Sequence, residues 1–584
     1  PLTLLRQINR LLARSDWPLI DTFKKVERQR LKALTPAQLA QLDDDWTELI
    51  DGRRRAAETV AAPEADSWPD VGQVLDNGGN LSQVMPGYEL RPSQLAMAQE
   101  VAAAFAQGHH AVLEAGTGTG KSLAYLLPSA LHSLRHNEQV VISTYTRSLQ
   151  DQMLANDVPL LNKSLGTDVD VQLVKGRDNY ICLRKWEGFF QQSLLGQGSP
   201  LTMGAWLTWL SLTHSGELAE LHGSVASQIA PRVKSETATC LAKHCRHFSR
   251  CFAFKARKRA RQAQIVVTNH ALLLQDLAGD HFLLKPYQYL VLDEAQHLED
   301  ASTAAFGQCC SGTALRQCFK ALGADRSAAG LLARLKKQLK KSQLLTELEQ
   351  LRSWQQSALD WERGWDDIEA AVVALSRDSE TRSWWQHQEY LQRCLLSIER
   401  QDHPRWLQLQ TIVAVWTQSG ATLLQSAADI IEGWLGVEDQ TMAGLAAEWR
   451  GLNERLQRLV VAAQAMAEPE PDPARVLWCE LQEQRRHLNI LFHSAPQQVA
   501  GHLEQKLFVA KRSVVLTSAT LTVEGKFAFM RERWGLHESA SRLVLERRFA
   551  TEFDYGLQAL CCLPSDLRFG EQSDVRSLRP LCDW

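Results

Sequence analysis

The sequence predicts an α/β fold built on a parallel β-sheet, and three observations predict it. Short runs of strand-forming residues alternate with helical stretches from residue 88 to about residue 298. A glycine-rich loop joins one of these runs to a helix, and another run ends abruptly in two acidic residues. The runs are 111–113, 140–143, 169–174, 265–268 and 289–292, with a further buried-strand pattern at 513–516. Such alternation calls for parallel strands connected by crossover helices.

The flanking segments have a different character. Residues 1–60 read as short amphipathic helices, with Leu4, Leu5, Ile8, Leu11 and Leu12 at helical spacing. Residues 61–86 are rich in Pro, Asp, Gly and Asn and read as a linker. Residues 299–480 are rich in Leu, Gln and Trp and poor in strand signals, which predicts a helical insertion. The 18 tryptophans fall mostly in helical stretches, where packing is their expected role. At 584 residues the chain has room for about three to five domains.

Bulk composition excludes some classes. A net charge of −3 carries no global attraction for nucleic acid, so any such signal is local. Twelve cysteines are too dilute for a secreted disulfide scaffold. No signal-peptide pattern is present, and no apolar run approaches the roughly 18 residues of a membrane span. A reducing cytoplasm and no membrane partner are the expectation, and clustered cysteines there point to metal ligation.

The glycine-rich loop reads Glu114-Ala115-Gly116-Thr117-Gly118-Thr119-Gly120-Lys121-Ser122 and leads into a helical stretch at 123–131. Glycines let backbone N–H groups close around phosphate oxygens, and the next helix aims its positive N-terminus at them. Lys121 is placed to reach the β and γ phosphates of a nucleotide, and the Ser122 hydroxyl to ligate Mg²⁺. The apolar run 289–292 ends in Asp293-Glu294-Ala295-Gln296. Carboxylates at the carboxyl end of a parallel strand face the ligand crevice. Asp293 is expected to hold Mg²⁺, and Glu294 to orient and deprotonate the attacking water.

Cys240, Cys245 and Cys251 form a C-x4-C-x5-C group, with Cys182 as the fourth thiol. Four thiolates can hold a [4Fe–4S] cluster or a structural Zn²⁺. No C-x2-C knuckle is present, which favours the cluster modestly. Residues 237–275 carry Lys243, Arg246, Arg250, Lys255, Arg257, Lys258, Arg259 and Arg261 and no acidic residue. Interleaved with His244, His247, Phe248, Phe252 and Phe254, they suit either a single-stranded nucleic-acid groove or a solvated basic helix.

Taken in order, these residues resemble the iron–sulfur DNA helicases of the DinG/XPD type in superfamily two, over roughly residue 88 to the C-terminus. The likeness rests on Arg91-Pro92-Ser93-Gln94, the phosphate loop, Ser143-Thr144-Tyr145-Thr146 with Gln150 and Gln152, and Lys175 to Cys182. The cysteine group, Asn269-His270, the acidic box and Thr517-Ser518-Ala519-Thr520-Leu521 follow. Ala115 replaces the first glycine of the strict loop pattern, as helicase-type loops tolerate. The resemblance implies a RecA-like motor domain with an Fe–S insertion and a helical, Arch-like insertion. It implies that Arg91 and Gln94 take the adenine side of ATP, and that Thr144, Tyr145 and Thr146 touch the DNA backbone. Arg250, Lys255, Arg257 and Lys258 are the basic residues expected on DNA. Gln296, Ser518 and Thr520 would couple hydrolysis to movement. Cys182, Cys240, Cys245 and Cys251 would hold the [4Fe–4S] cluster. The implied activity is ATP-dependent, 5′→3′ translocation on single-stranded DNA and unwinding of forked DNA in repair or replication.

The implied divisions are 1–86 N-terminal helices and linker, 87–175, 263–298 and 481–545 as the first motor domain, 176–262 the cluster domain, 299–480 the Arch, and 546–584 the start of a second motor domain. Two departures stand out. Gln296 occupies the position usual for His in the acidic box. No Gln-x-x-Gly-Arg-x-x-Arg pattern follows that box. The second departure makes an incomplete second motor domain the expectation. The alternative function is then a fragment that binds nucleotide and single-stranded DNA without efficient turnover, and a zinc-bearing nucleic-acid ATPase is a further one. Some relatives carry a 3′→5′ exonuclease domain ahead of the helicase. Asp43-Asp44-Asp45 lacks the strand context of a nuclease centre, so residues 1–86 read as linker or the tail of such a domain, with an exonuclease domain or subunit as a possible partner.

Overall fold

The computed structural model describes residues 2–12, 20–32, 68–550 and 553, apart from 195–198, 222, 238, 280–283, 324–329, 389–390, 397–401, 436–438, 469–471, 485–486 and 538–542. Its strands are β1 His110–Glu114, β2 Val140–Thr144, β3 Val171–Leu173, β4 Ile265–Asn269, β5 Tyr289–Asp293, β6 Gln308–Ser311, β7 Trp385–Gln388, β8 Leu391–Leu396, β9 Arg475–Gln484, β10 His487–Pro496, β11 Ser513–Ser518 and β12 Val544–Arg548. Every strand expected from sequence is present.

Seven strands form one parallel sheet in the order β12-β1-β11-β5-β2-β4-β3. Its inner strands β1, β11, β5, β2 and β4 are apolar on both faces, as expected where helices cover both sides, while the edge strands β12 and β3 are only partly buried. Alternate residues feed two cores. Ala111, Leu113, Ile142, Val291 and Val515 face one, and Val112, Val141, Leu290, Leu292, Val514 and Leu516 face the other. Each Val, Leu or Ile among them contributes about 1.5–3 kcal/mol on burial. The order matters more than the count, because it sets β1, β11 and β5 side by side. Glu114 is level with Ser518, and Thr517 with Asp293.

Three expectations are corrected. The segment 61–86 is not all linker: Val71–Leu75 and Asn80–Val84 are helices, and Val71, Val74, Leu75 and Leu81 are buried in the motor core. Asp70 caps the first through a reciprocal bond with Gln73, which is why so short a helix holds. The helix Leu2–Leu12 agrees with the expected amphipathic helix, and its Leu11 lies in a core with Trp186 and Trp206, from the cysteine-bearing region. Residues 13–19 and 33–67, Asp43-Asp44-Asp45 included, lie outside the described residues.

The second correction concerns 299–480. Long helices dominate it (Leu345–Arg377, Pro404–Leu435 and Gln440–Ala467), but it also contains strands. β6, β7, β8, β9 and β10 make a five-stranded sheet, antiparallel throughout, in the order β6-β10-β9-β8-β7, which runs on to Pro496. Polar and charged residues such as Gln386, Gln392, Arg393, Glu480 and Gln482 interrupt these strands and hide them from a hydrophobicity reading. The third correction is the boundary at 545/546. β12 pairs with β1 through Arg548, so 546–548 belong to the first sheet. Residues 554–584 lie outside the described residues.

The tryptophans pack the insertion as expected. Trp361 and Trp416 stack at 4.7 Å, and each indole N–H donates to the other's backbone carbonyl, at 2.9 and 3.1 Å. Small residues make this approach possible: a Cβ on Gly420 would stand 2.6 Å from Trp361 Cζ2. Gly420→Ala is therefore expected to destabilise the insertion by about 1–3 kcal/mol through overpacking. A lowered urea midpoint checks this, and an unchanged one would show that the indole pair yields freely.

Candidate functional site

The site is assembled at the carboxyl ends of β1, β11 and β5. After β1 the loop 115–120 leads into the helix Lys121–His136. Gly118 and Gly120 have φ of 81° and 84°, a left-handed backbone that glycine adopts without strain. A Cβ on Gly120 would overlap the Gln94 amide. The carbonyls of the loop turn outward. Arg91 Nη1 donates to Gly118 O at 2.8 Å, and Gln94 Nε2 to Gly120 O at 3.0 Å. Lys121 Nζ donates to Ala115 O at 3.2 Å, and Ala115 N–H donates to Ser518 O at 3.0 Å. The predicted residues Arg91, Gln94 and Lys121 thus all meet the loop.

Asp293 ends β5 and is buried. It accepts from Tyr125 Oη at 2.9 Å and from the Glu294 N–H at 3.0 Å. Tyr125 also hydrogen-bonds Ser122, so one hydroxyl joins the two residues expected to share Mg²⁺. Burial pushes the Asp293 carboxyl up to about 6. The oxygen-rich pair Ser122 and Asp293, beside Lys121, fits a hard divalent ion. Glu294 has φ 56° and ψ 46°, a left-handed backbone that costs a side-chain-bearing residue about 1–3 kcal/mol. That turn throws its carboxylate forward to Gln296, whose Nε2 donates to Glu294 Oε2 at 2.8 Å. Ser518 Oγ donates to Gln296 Oε1, and the Thr520 N–H donates back to Ser518 Oγ at 3.2 Å. Gln296, Ser518 and Thr520 form one connected chain with Glu294.

Sequence reading missed Glu114, Tyr125 and His297. Glu114, at the end of β1, accepts the N–H groups of Leu521 at 2.7 Å and Thr522 at 2.6 Å, the Thr522 hydroxyl, and Arg548 at 2.9 Å. Burial acts to raise its carboxyl, but these donors outweigh it and hold the group below the ordinary range. The missed signal is a carboxylate as the last residue of an otherwise apolar strand. His270 Nδ1 lies 2.8 Å from Ser143 Oγ, and burial pushes the imidazole down to about 4, so it is neutral near pH 7.

The expected DNA-facing residues divide. Tyr145 is exposed and stacks on His297 at 3.9 Å, and Thr146 is half-buried as the cap of the following helix. Thr144 is fully buried at the end of β2, where it pairs in the sheet beside Asn269. Lys255 and Lys258 are exposed on the helix Phe252–Gln262, and Arg250 is half-buried. Arg257 turns inward, and burial first and Arg177 second push its guanidinium down to about 10. The basic stripe also has a counter-charge from outside its own segment, because Arg246 pairs with Glu187.

The four cysteines sit at the edge of the same region, half-buried and without disulfides. The Cys182 N–H is tied to Val233 O at 2.7 Å, and short 3₁₀ turns separate the other three. Burial pushes the Cys245 and Cys251 thiols up, and their thiol neighbours, including Cys182 for both and Cys240 for Cys251, push further. Backbone N–H groups point at sulfur, with Ala242 donating to Cys240 Sγ at 3.3 Å. This all-thiol set fits the chemistry of a thiolate-bound group. Among the described residues, however, no group of three or more His, Cys, Asp or Glu side chains is arranged to hold a metal ion. No helix among them is long and apolar enough to cross a membrane.

Comparison with known proteins places this geometry. The DEAD/DEAH box helicase family model matches residues 94–195. The chain is 30% identical over 499 residues to the ATP-dependent DNA helicase YoaA of Escherichia coli (strain K12), covering 84% of this chain and 68% of that one. The chain belongs to the DinG/YoaA group of DEAD/DEAH-box helicases. The protein named 3'-5' exonuclease DinG from Bacillus subtilis (strain 168) is 28% identical over 537 residues, 89% of this chain. The chain spans 54% of the length of that relative, and 62% of the ATP-dependent helicase DinG of Mycobacterium tuberculosis (strain ATCC 25618 / H37Rv). A solved XPD helicase aligns over 79% of this chain and 62% of its own with a TM-score of 0.37 and 13% identity.

The Glu114 hub carries its own expectation. A carboxyl held below its ordinary value lends stability that is complete above that value and is lost as pH falls through the folded one. Glu114→Gln is expected to cost about 1.5–3 kcal/mol near neutral pH, from the lost charged hydrogen bonds. The difference from wild type should shrink as pH falls below about 4.5. Thermal melts across pH 3–7 check this, and a difference that did not vary with pH would overturn it.

Proposed function

We propose that the intact protein is an ATP-hydrolysing DNA translocase that runs 5′→3′ on single-stranded DNA and opens forked DNA during repair or replication. One observation carries the reading. Glu294, read here as the carboxylate that activates water, is linked through Gln296 to Ser518 on a strand that also contacts the phosphate loop. A site that only held nucleotide would need no such link between hydrolysis and a distant motif.

In this reading Gly116 to Ser122 cradle the phosphates, with Lys121 on the β and γ oxygens and Arg91 and Gln94 toward adenine. Ser122 and Asp293 would hold Mg²⁺, which neutralises developing phosphate charge. Glu294 orients the attacking water and takes its proton, and Gln296 fixes the Glu294 rotamer. Ser518 and Thr520 pass the state of the site to the segment after β11. Single-stranded DNA would lie along Tyr145, Thr146, Arg250, Lys255 and Lys258. Cys182, Cys240, Cys245 and Cys251 would hold a [4Fe–4S] cluster that supplies a rigid fold for the basic stripe. The insertion after β5 would serve as the Arch, and an exonuclease activity, in cis or as a partner, would fit the name of the Bacillus relative.

Lys121→Ala in the intact protein is expected to abolish DNA-stimulated ATP hydrolysis and leave single-stranded DNA binding near wild type. Gln296→Ala should keep nucleotide affinity but lose DNA stimulation. Unwinding by the Lys121 variant, in a fork-unwinding assay, would refute this motor site.

Cys245→Ser should lower iron per protein after anaerobic purification and expose the region from 182 to 261 to proteolysis together, since ligand binding and folding are linked in such modules. Unchanged iron content would remove Cys245 from the ligand set.

A further inference from the structure

We propose that Phe553 is a specificity-determining residue of the nucleotide site, its ring being the stacking surface for the purine base. This rests on the nucleotide reading of the phosphate loop given above. The two residues that follow β12 stay against the site. The Phe549 N–H donates to Glu114 O at 2.8 Å, one residue beyond the strand, and Ser93 Oγ donates to Ala550 O at 2.9 Å. The Phe553 ring then lies against Gly118, where a Cβ would overlap its Cε2 and meet its Cζ at 2.6 Å.

Three planar groups therefore converge on one rim of the loop: the Phe553 ring at Gly118, the Arg91 guanidinium on Gly118 O, and the Gln94 carboxamide on Gly120 O. The loop N–H groups, Lys121 and the helix N-terminus serve anionic oxygens, and a phenyl ring adds nothing to that task. It does offer a flat apolar face, and Phe553 is left 39% exposed. A carboxamide matches the edge of adenine, and an aromatic face matches any base. The ligand recognised here is a purine nucleotide rather than a bare phosphate chain. Ser93 fixes Ala550 beside the Arg91–Gln94 turn, three residues ahead of the ring.

The test compares ADP with inorganic pyrophosphate by titration calorimetry, with Mg²⁺, on wild type, Phe553→Ala, Phe553→Trp and Lys121→Ala. Phe553→Ala should weaken ADP about tenfold or more and leave pyrophosphate unchanged, and Phe553→Trp should restore ADP binding. Equal weakening of both ligands would make Phe553 merely structural, and tightening of both would make it a plug over the loop. Unchanged ADP affinity would remove it from the site. Each of these overturns the proposal while leaving the nucleotide reading intact. Wild type that binds neither ligand, with no further change in Lys121→Ala, would overturn the nucleotide reading and this proposal with it.

Discussion

The site depends on one buried carboxylate. Glu114 closes β1 and gathers donors from the segment after β11 and from β12. Those two strands flank β1 in the sheet but come about 400 residues later in the chain. Backbone pairing alone sets their register, and it does not fix where the chain goes once the strands end. A carboxylate with two backbone N–H donors and a guanidinium does fix it. A bond to an ionised acceptor is roughly twice as strong as a neutral one, and leaving this carboxylate unpaired would be costly. The phosphate loop and the Ser518 turn therefore leave the sheet side by side.

From that placement the rest of the site follows. Ser518 lies within reach of Gln296 only because β11 sits between β1 and β5. Gln296 reaches Glu294 only because Glu294 turns left-handed as the strand ends. The strain at Glu294 is confined to one residue, and the chain of hydrogen bonds that crosses it is what holds it. Gln also carries no charge at any pH. The Gln296 member of the link is thus indifferent to protonation in a way that a histidine at this position would not be. His270, which meets the backbone of Asp293 and Glu294, is kept neutral by burial.

Much of this was legible in the residues, for particular reasons. Parallel strands buried on both faces announce themselves as apolar runs, so β1, β2, β4, β5 and β11 were found to within two residues. The loop and the acidic box are local in sequence, and their chemistry needs fixed spacing. The antiparallel strands β6 to β10 were not legible, because one face of their sheet carries Arg393, Glu480 and His493 in an ion-paired cluster and the period is broken. A motif marks a segment, and the segment's backbone decides which member faces out, so Thr144 is buried where Tyr145 is exposed. Glu114 and Tyr125 were invisible because their partners lie 407 and 168 residues away.

Both large additions enter where the sheet tolerates them. The cysteine-bearing region lies between β3 and β4, and the helical one between β5 and β11, so neither interrupts a strand. They are nonetheless joined to each other. Arg184, two residues after Cys182, donates to Glu448 at 3.0 Å and to Thr239 O at 2.8 Å, while Arg334 donates to the other Glu448 oxygen at 2.6 Å. Burial acts to raise the Glu448 carboxyl, and Arg334 and Arg184 outweigh it and hold it below the ordinary range. Desolvation offsets most of the Coulomb gain in such a triad, so its contribution is to orientation more than to stability. Two arginines from different segments converge on one carboxylate only when the Gln440–Ala467 helix has one rotation and one depth. An apolar contact of similar area would permit sliding. The position of the long helices relative to the cysteines is therefore set by charge, and the tryptophan core then fills in behind it.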